Sequence, residues 1–111
     1  MANVYKNAIY VPTTTANTTV YTCNATARAV IQTIQLTNLT STNTATVQVY
    51  DSSLTSTTKI NHVSLAANTT ENTAKGPIIL EEGDALIISC SNTAITGIVS
   101  ILEVNRGSLT T

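Results

Sequence analysis

Short runs of alternating apolar and polar residues recur roughly every ten residues along this chain, separated by turn chemistry, and no stretch carries a helical period. That spacing restricts the fold to all-β: an antiparallel β-sandwich or jelly roll of about eight short strands, with a small closed barrel as the alternative. Residues 76–104 carry the strongest signal and read as two β-hairpins in series. Strands are predicted at residues 77–80, 85–91 and 95–104, with Glu81-Glu82-Gly83-Asp84 as the first turn. Upstream, strands are predicted at residues 4–11, 19–23, 27–37, 44–50 and 59–65. Residues 27–37 and 44–50 read as a hairpin. On the first of these strands Val30, Ile34 and Leu36 share one face, and Ile31, Thr33 and Gln35 the other. Residues 38–43, 51–58 and 66–75 read as polar connections.

One domain accounts for 111 residues. The division predicted is an N-terminal strand or arm at 1–12, a β-sandwich domain at 13–105 and a C-terminal tail at 106–111. Phe and Trp are absent, so the core falls to Val, Ile, Leu and Ala. Thr makes up about a fifth of the chain, which suits strands and uncharged surfaces. A net charge of −1 without a basic patch argues against nucleic acid as a ligand. No apolar run is long enough for a membrane-spanning helix, and no signal peptide is expected at the N-terminus. Without export, Cys23 and Cys90 are expected as free thiols, with Cys90 buried. The sequons at Asn17, Asn24, Asn38 and Asn68 read as chance products of an Asn- and Thr-rich composition.

Nothing in the sequence assembles into catalytic chemistry. His62 is the lone histidine, on a strand, with no nucleophile elbow to serve. Glu81, Glu82 and Asp84 read as a solvated turn rather than a cation loop, and no metal or cofactor site is expected. Tyr5, Tyr10, Tyr21 and Tyr50 read as strand tyrosines that pack a ring and wet a hydroxyl. The informative feature is an absence of charge: residues 29–50 contain no Asp, Glu, Lys or Arg. Soluble monomers guard a sheet face and its edges with charge, so a neighbouring subunit is expected to cover this region; the alternative is a Thr-coated surface that is soluble without charge. The assembly contacts predicted are Val4, Tyr5, Ile9 and Tyr10 on the N-terminal arm, with Ile31, Thr33, Gln35, Gln48 and Tyr50 on the uncharged strands. The arm is expected to be detached by Pro12 and the Thr-rich segment after it. On that reading, loss of residues 1–11 spares folding and weakens assembly.

The run Val30-Ile31-Gln32-Thr33-Ile34-Gln35-Leu36-Thr37-Asn38-Leu39-Thr40-Ser41 resembles the opening hairpin of small virion proteins of tailed bacteriophages, a group common in phages of marine bacteria and cyanobacteria. Thr46-Val47-Gln48-Val49, Val63-Ser64-Leu65-Ala66, Leu80-Glu81-Glu82-Gly83-Asp84 and the closing Ile98-Val99-Ser100-Ile101-Leu102-Glu103-Val104 are similar to its later segments. The resemblance spans about residues 20–104. It implies a non-enzymatic particle component assembled in the host cytoplasm, partnered by itself and by other virion proteins such as the major capsid, neck or tail proteins. It carries no catalytic or ligand residue. The alternative is a carbohydrate- or receptor-binding module of a phage fibre.

Overall fold

A computed structural model describes residues 2–74 and 76–105, so the predicted C-terminal tail at 106–111 lies outside the described residues. Nine strands and no helix are present among the described residues. They are β1 (Ala2–Tyr10), β2 (Thr18–Thr22), β3 (Ala27–Asn38), β4 (Asn43–Asp51), β5 (Ser56–Leu65), β6 (Thr69–Asn72), β7 (Ile78–Leu80), β8 (Ala85–Cys90) and β9 (Ile95–Asn105). Two antiparallel sheets face each other. Sheet A runs β1-β9-β3-β6, with β7 also on the outer side of β3; sheet B runs β2-β8-β4-β5. Because β6 and β7 share one edge position, each sheet is four positions wide, and the order is that of a jelly roll.

The hairpins read from the sequence are corrected by this order. β7 pairs with β3, β8 lies between β2 and β4 in the other sheet, and β9 lies between β1 and β3. β3 and β4 likewise belong to different sheets, so only β4 and β5 form a pair of chain neighbours. The physical reason is that Leu86, Ile88 and Cys90 on one strand, and Val99 and Ile101 on the next, must bury against one core from opposite sides. The turn between such strands is a corner between layers. Residues 81–84 form one such corner. Gly83 takes φ +84°, and its N–H donates to the Cys23 carbonyl at 3.2 Å, while the Cys23 N–H donates to the Asp84 carbonyl at 2.8 Å. Asp84 is buried, not solvated: Oδ1 accepts from the Ser52 N–H at 3.0 Å and Oδ2 from the Glu81 N–H at 3.0 Å.

β3 carries a second correction. Its pairing with β9 shifts between Ile31 and Thr33, so Gln32 is an extra residue, a β-bulge. The inward set therefore changes phase, from Ala27, Ala29 and Ile31 before the bulge to Ile34, Leu36 and Asn38 after it. Ile31 is core, and Val30 joins Thr33 and Gln35 outside. Within the expected polar connection at 66–75 lies β6, a strand although Thr69–Asn72 contributes no core residue. Its place is set by β3: the Asn72 carboxamide oxygen accepts the Ile34 N–H at 3.1 Å, and the Thr73 N–H donates to the Ile34 carbonyl at 2.8 Å.

The N-terminal segment is a strand rather than a detached arm. β1 pairs with β9 along its whole length, from Ala2 opposite Asn105 to Tyr10 opposite Gly97. Tyr10 is the largest side chain in a core without Phe or Trp, and its hydroxyl donates to Cys90 Sγ at 3.2 Å. Cys23 and Cys90 are both buried and neither is in a disulfide.

Candidate assembly surface

The two outward faces of the sandwich differ in chemistry. On sheet B, Thr44, Thr46 and Gln48 of β4 alternate with the inward Ala45 and Val47. Beside them stand Ser89 of β8 and His62 of β5, both opposite Thr46. His62 Nδ1 and Thr46 Oγ1 are 2.8 Å apart, an exposed cross-strand hydrogen bond with no acid behind it. Gln48 is covered by its own chain, its amide donating to Asn17 Oδ1 at 2.9 Å. This face is mainly hydroxyl and amide, interrupted by Ile87 of β8 and Lys59 of β5, both opposite Gln48.

Sheet A is apolar where its strands cross. Tyr5 of β1 is opposite Leu102 of β9, Leu102 is opposite Val30 of β3, and Val30 is opposite Ile79 of β7. These four side chains form one row across the full width of the sheet. Tyr5 is 77% exposed and Ile79 56% exposed. Two residues along the strands, Asn7, Ser100 and Thr33 form a polar row, and then Ile9, Ile98, Gln35 and Asn72 form another that is apolar in its first half. An open groove of about 340 Å³ lies between them, lined by Tyr5, Asn7, Gln32 and Ser100 among others. Among the described outward residues of sheet A, Arg28 is the one charge. It sits toward the sheet end, paired with Glu82 at 3.3 Å and Glu81 at 3.7 Å.

The edges also differ. β2 is short and bulged at Val20. β5 is bulged at Ile60 and carries Lys59. The edge made by β6 and β7 is broken between Asn72 and Ile78, with Pro77 in the break. Each is a device that discourages pairing with another chain. β1 has no bulge and no proline, and its one charge, Lys6, lies on the inner face, where it meets Glu103 at 3.2 Å.

Glu103 ties β1 to the sandwich. Its carboxylate is buried and accepts from the Tyr21 hydroxyl, from Lys6 Nζ and from Asn105 Nδ2 at 3.2 Å. The Tyr21 hydrogen bond, joined by Lys6 and Asn105, holds the Glu103 carboxyl below the usual carboxylate range. Burial, then the neighbouring carboxylate, pushes the Tyr21 phenol above its ordinary value. A depressed folded-state pKa gives stability that is present above the unfolded value and is lost as pH falls through the folded one. Thermal unfolding of wild type and Glu103→Gln is therefore expected to differ by about 1–3 kcal/mol at pH 7. That gap should narrow steadily as pH drops below the ordinary glutamate pKa of roughly 4.3. A gap that stays constant to pH 2 removes the carboxylate from the account.

The predicted contact residues divide accordingly. Tyr5, Ile9, Thr33 and Gln35 come together on the outer face of sheet A. Gln48 and Tyr50 lie on sheet B, apart from them. Val4 is 38% exposed on the inner side of β1, and Tyr10 and Ile31 are corrected to core residues, unable to touch a neighbour. Sequence reasoning missed Val30, Ile79 and Leu102. A signal was there, since in β9 Ile98 and Leu102 flank the inward Val99 and Ile101, making the strand apolar on both faces. Among the described residues, no three His, Cys, Asp or Glu side chains gather as metal ligands.

No protein-family model and no curated protein matches the sequence. Among solved structures, the fold is similar to a chain of the Bacillus endospore appendages, described as a family of disulfide-linked pili. That match has 14% identity and a TM-score of 0.48, and covers 94% of this chain and 85% of that one. It is also similar to a chain of infectious bursal disease virus, Gx strain, at 11% identity and a TM-score of 0.46. There the match covers 96% of this chain and 31% of the viral one, so this chain spans about a third of that length.

Proposed function

We propose that this chain is a non-enzymatic structural protein of a tailed-phage virion, a head decoration or cement protein or a neck or tail accessory. It is assembled in the host cytoplasm and works by self-association and by contact with other virion proteins. The observation that carries the structural reading is the row Tyr5–Leu102–Val30–Ile79, an apolar band on the outward face of a sheet that bears one charge at its end. Exposed apolar bands of this kind serve contact with another protein surface. The virion context is supported by the sequence resemblance over residues 20–104. A second reading, a glycan- or receptor-binding fibre module, is favoured by one observation: the groove sets the exposed Tyr5 ring beside the amides of Asn7 and Gln32 and the Ser100 hydroxyl.

The test is Ile79→Lys, a change on an exposed edge residue outside β1. Burial of one such aliphatic side chain is worth about 1.5–3 kcal/mol. The variant is therefore expected to fold as wild type and to need roughly ten- to a hundredfold more protein to self-associate, read by sedimentation velocity. Unchanged association removes the face from the mechanism. Saturable binding of glycans lost in Tyr5→Ala, by a chain that stays monomeric, selects the second reading.

A further inference from the structure

We propose that two copies of this chain join edge to edge through antiparallel pairing of β1 with β1, with Asn7 at the two-fold axis. The inference deepens the self-association reading and rests on it. β1 is the one long edge of the sandwich without a bulge, break or proline among the described strands, and it offers a row of backbone donors and acceptors to a partner strand. The partner that matches it is the same edge of a second copy, because a two-fold operation closes the pair and leaves no further edge open there.

Charge and side-chain pattern choose the register. Centring the pair on Lys6 sets two lysines directly opposite each other, which is unfavourable. Centring it on Asn7 sets Lys6 opposite Ala8 of the second copy, Val4 opposite Tyr10, and Tyr5 opposite Ile9, each twice by symmetry. Tyr5 and Ile9 are both well exposed on the outer face of the monomer, at 77% and 59%. Their pairing sets the two side chains against each other and joins the two apolar rows. The strip then runs Ile79, Val30, Leu102 and Tyr5 in one copy and on through Ile9 and Ile98 in the other. Area points the same way. A face four strand positions wide and about nine residues long presents roughly 600 Å², short of the ~800 Å² per partner of a standard stable interface. The paired sheet presents about twice that. Edge pairing thus supplies a platform large enough for the face to hold a further subunit.

The experiment is cross-linking of the full chain with a short bis-maleimide. Cys23 and Cys90 are buried, so wild type serves as the blank. In this register Asn7→Cys places two thiols on directly opposed residues, and most of the protein should appear as covalent dimer on a denaturing gel. Asn3→Cys places its two thiols about eight residues apart along the strands, roughly 27 Å, and should stay monomeric. Asn7→Lys sets like charges face to face at the axis and should weaken dimer formation at least fivefold. Absent Asn7→Cys cross-linking, or equal cross-linking at Asn3, overturns the register and the pairing. If Ile79→Lys still weakens association in that case, the self-association reading stands without the edge. If Asn7→Cys cross-links while Ile79→Lys changes nothing, the edge stands and the face falls.

Discussion

A chain lacking residues 2–10 is expected not to fold. β1 contributes a nine-residue ladder to β9 and places Tyr10 at 1% exposure, the one fully buried aromatic ring among the described residues. It also places Lys6 against the Glu103 carboxylate. Truncation of a buried aromatic side chain to alanine alone costs about 3–5 kcal/mol, against a total stability of about 5–15 kcal/mol for a domain of ordinary stability. Removing the strand also exposes the β9 ladder to water. Tyr10→Ala should therefore lower the unfolding free energy by that 3–5 kcal/mol, and the deletion should give a disordered far-UV circular dichroism spectrum and rapid proteolysis. The opposite outcome, a folded truncated chain with impaired assembly, is the one the sequence favoured. It would restore the segment as an arm.

Asn38→Asp is expected to be among the most destabilising single-atom changes available. The Asn38 side chain is fully buried at the end of β3, where it meets the β3–β4 connection and the end of β5 with its following turn. Its amide donates to the carbonyls of Leu65 at 2.8 Å, Ser41 at 2.9 Å and Ala66 at 3.3 Å, and its oxygen accepts from Asn43 Nδ2 at 3.2 Å. A carboxylate there loses every donor and turns a charge toward three carbonyl oxygens. Burying an uncompensated charge while leaving those acceptors unsatisfied costs upwards of about 3 kcal/mol. Asn38→Ala, which removes the donor without adding charge, should cost less, about 1–3 kcal/mol. Chemical denaturation of the three proteins measures both. If Asn38→Asp is no worse than Asn38→Ala, the hydrogen-bond hub is not what holds this corner. The same burial keeps Asn38 inaccessible as a glycan acceptor despite its sequon.

Strand positions were legible where apolar alternation runs unbroken, as in β4, and where short apolar runs sit between turn residues, as in β8 and β9. The inner face of β3 was not, because a bulge at Gln32 reverses the alternation midway, and a bulge leaves no residue-type signature here. β6 was not, because an edge strand of Thr and Glu with no buried side chain reads as a loop. Pairing was the least legible. Asn- and Gly-containing turns announce a change of direction, but whether the next strand joins the same sheet or the facing one depends on which side of the core its apolar residues fill. The assembly surface was half legible. Tyr5 and Ile9 stood out as apolar residues in a segment without need of them. Val30, Ile79 and Leu102 joined them only through cross-strand register, which is set by tertiary packing.

The central claim is that the outward face of sheet A is the surface through which this chain meets another copy of itself. Sedimentation velocity over a hundredfold range of concentration, on wild type and on Ile79→Lys, tests it most directly. The account predicts a wild-type boundary that moves from monomer to larger species as concentration rises, and a variant whose boundary makes the same move only at roughly ten- to a hundredfold higher concentration. Wild type that sediments as monomer throughout, or a variant that tracks wild type, contradicts it.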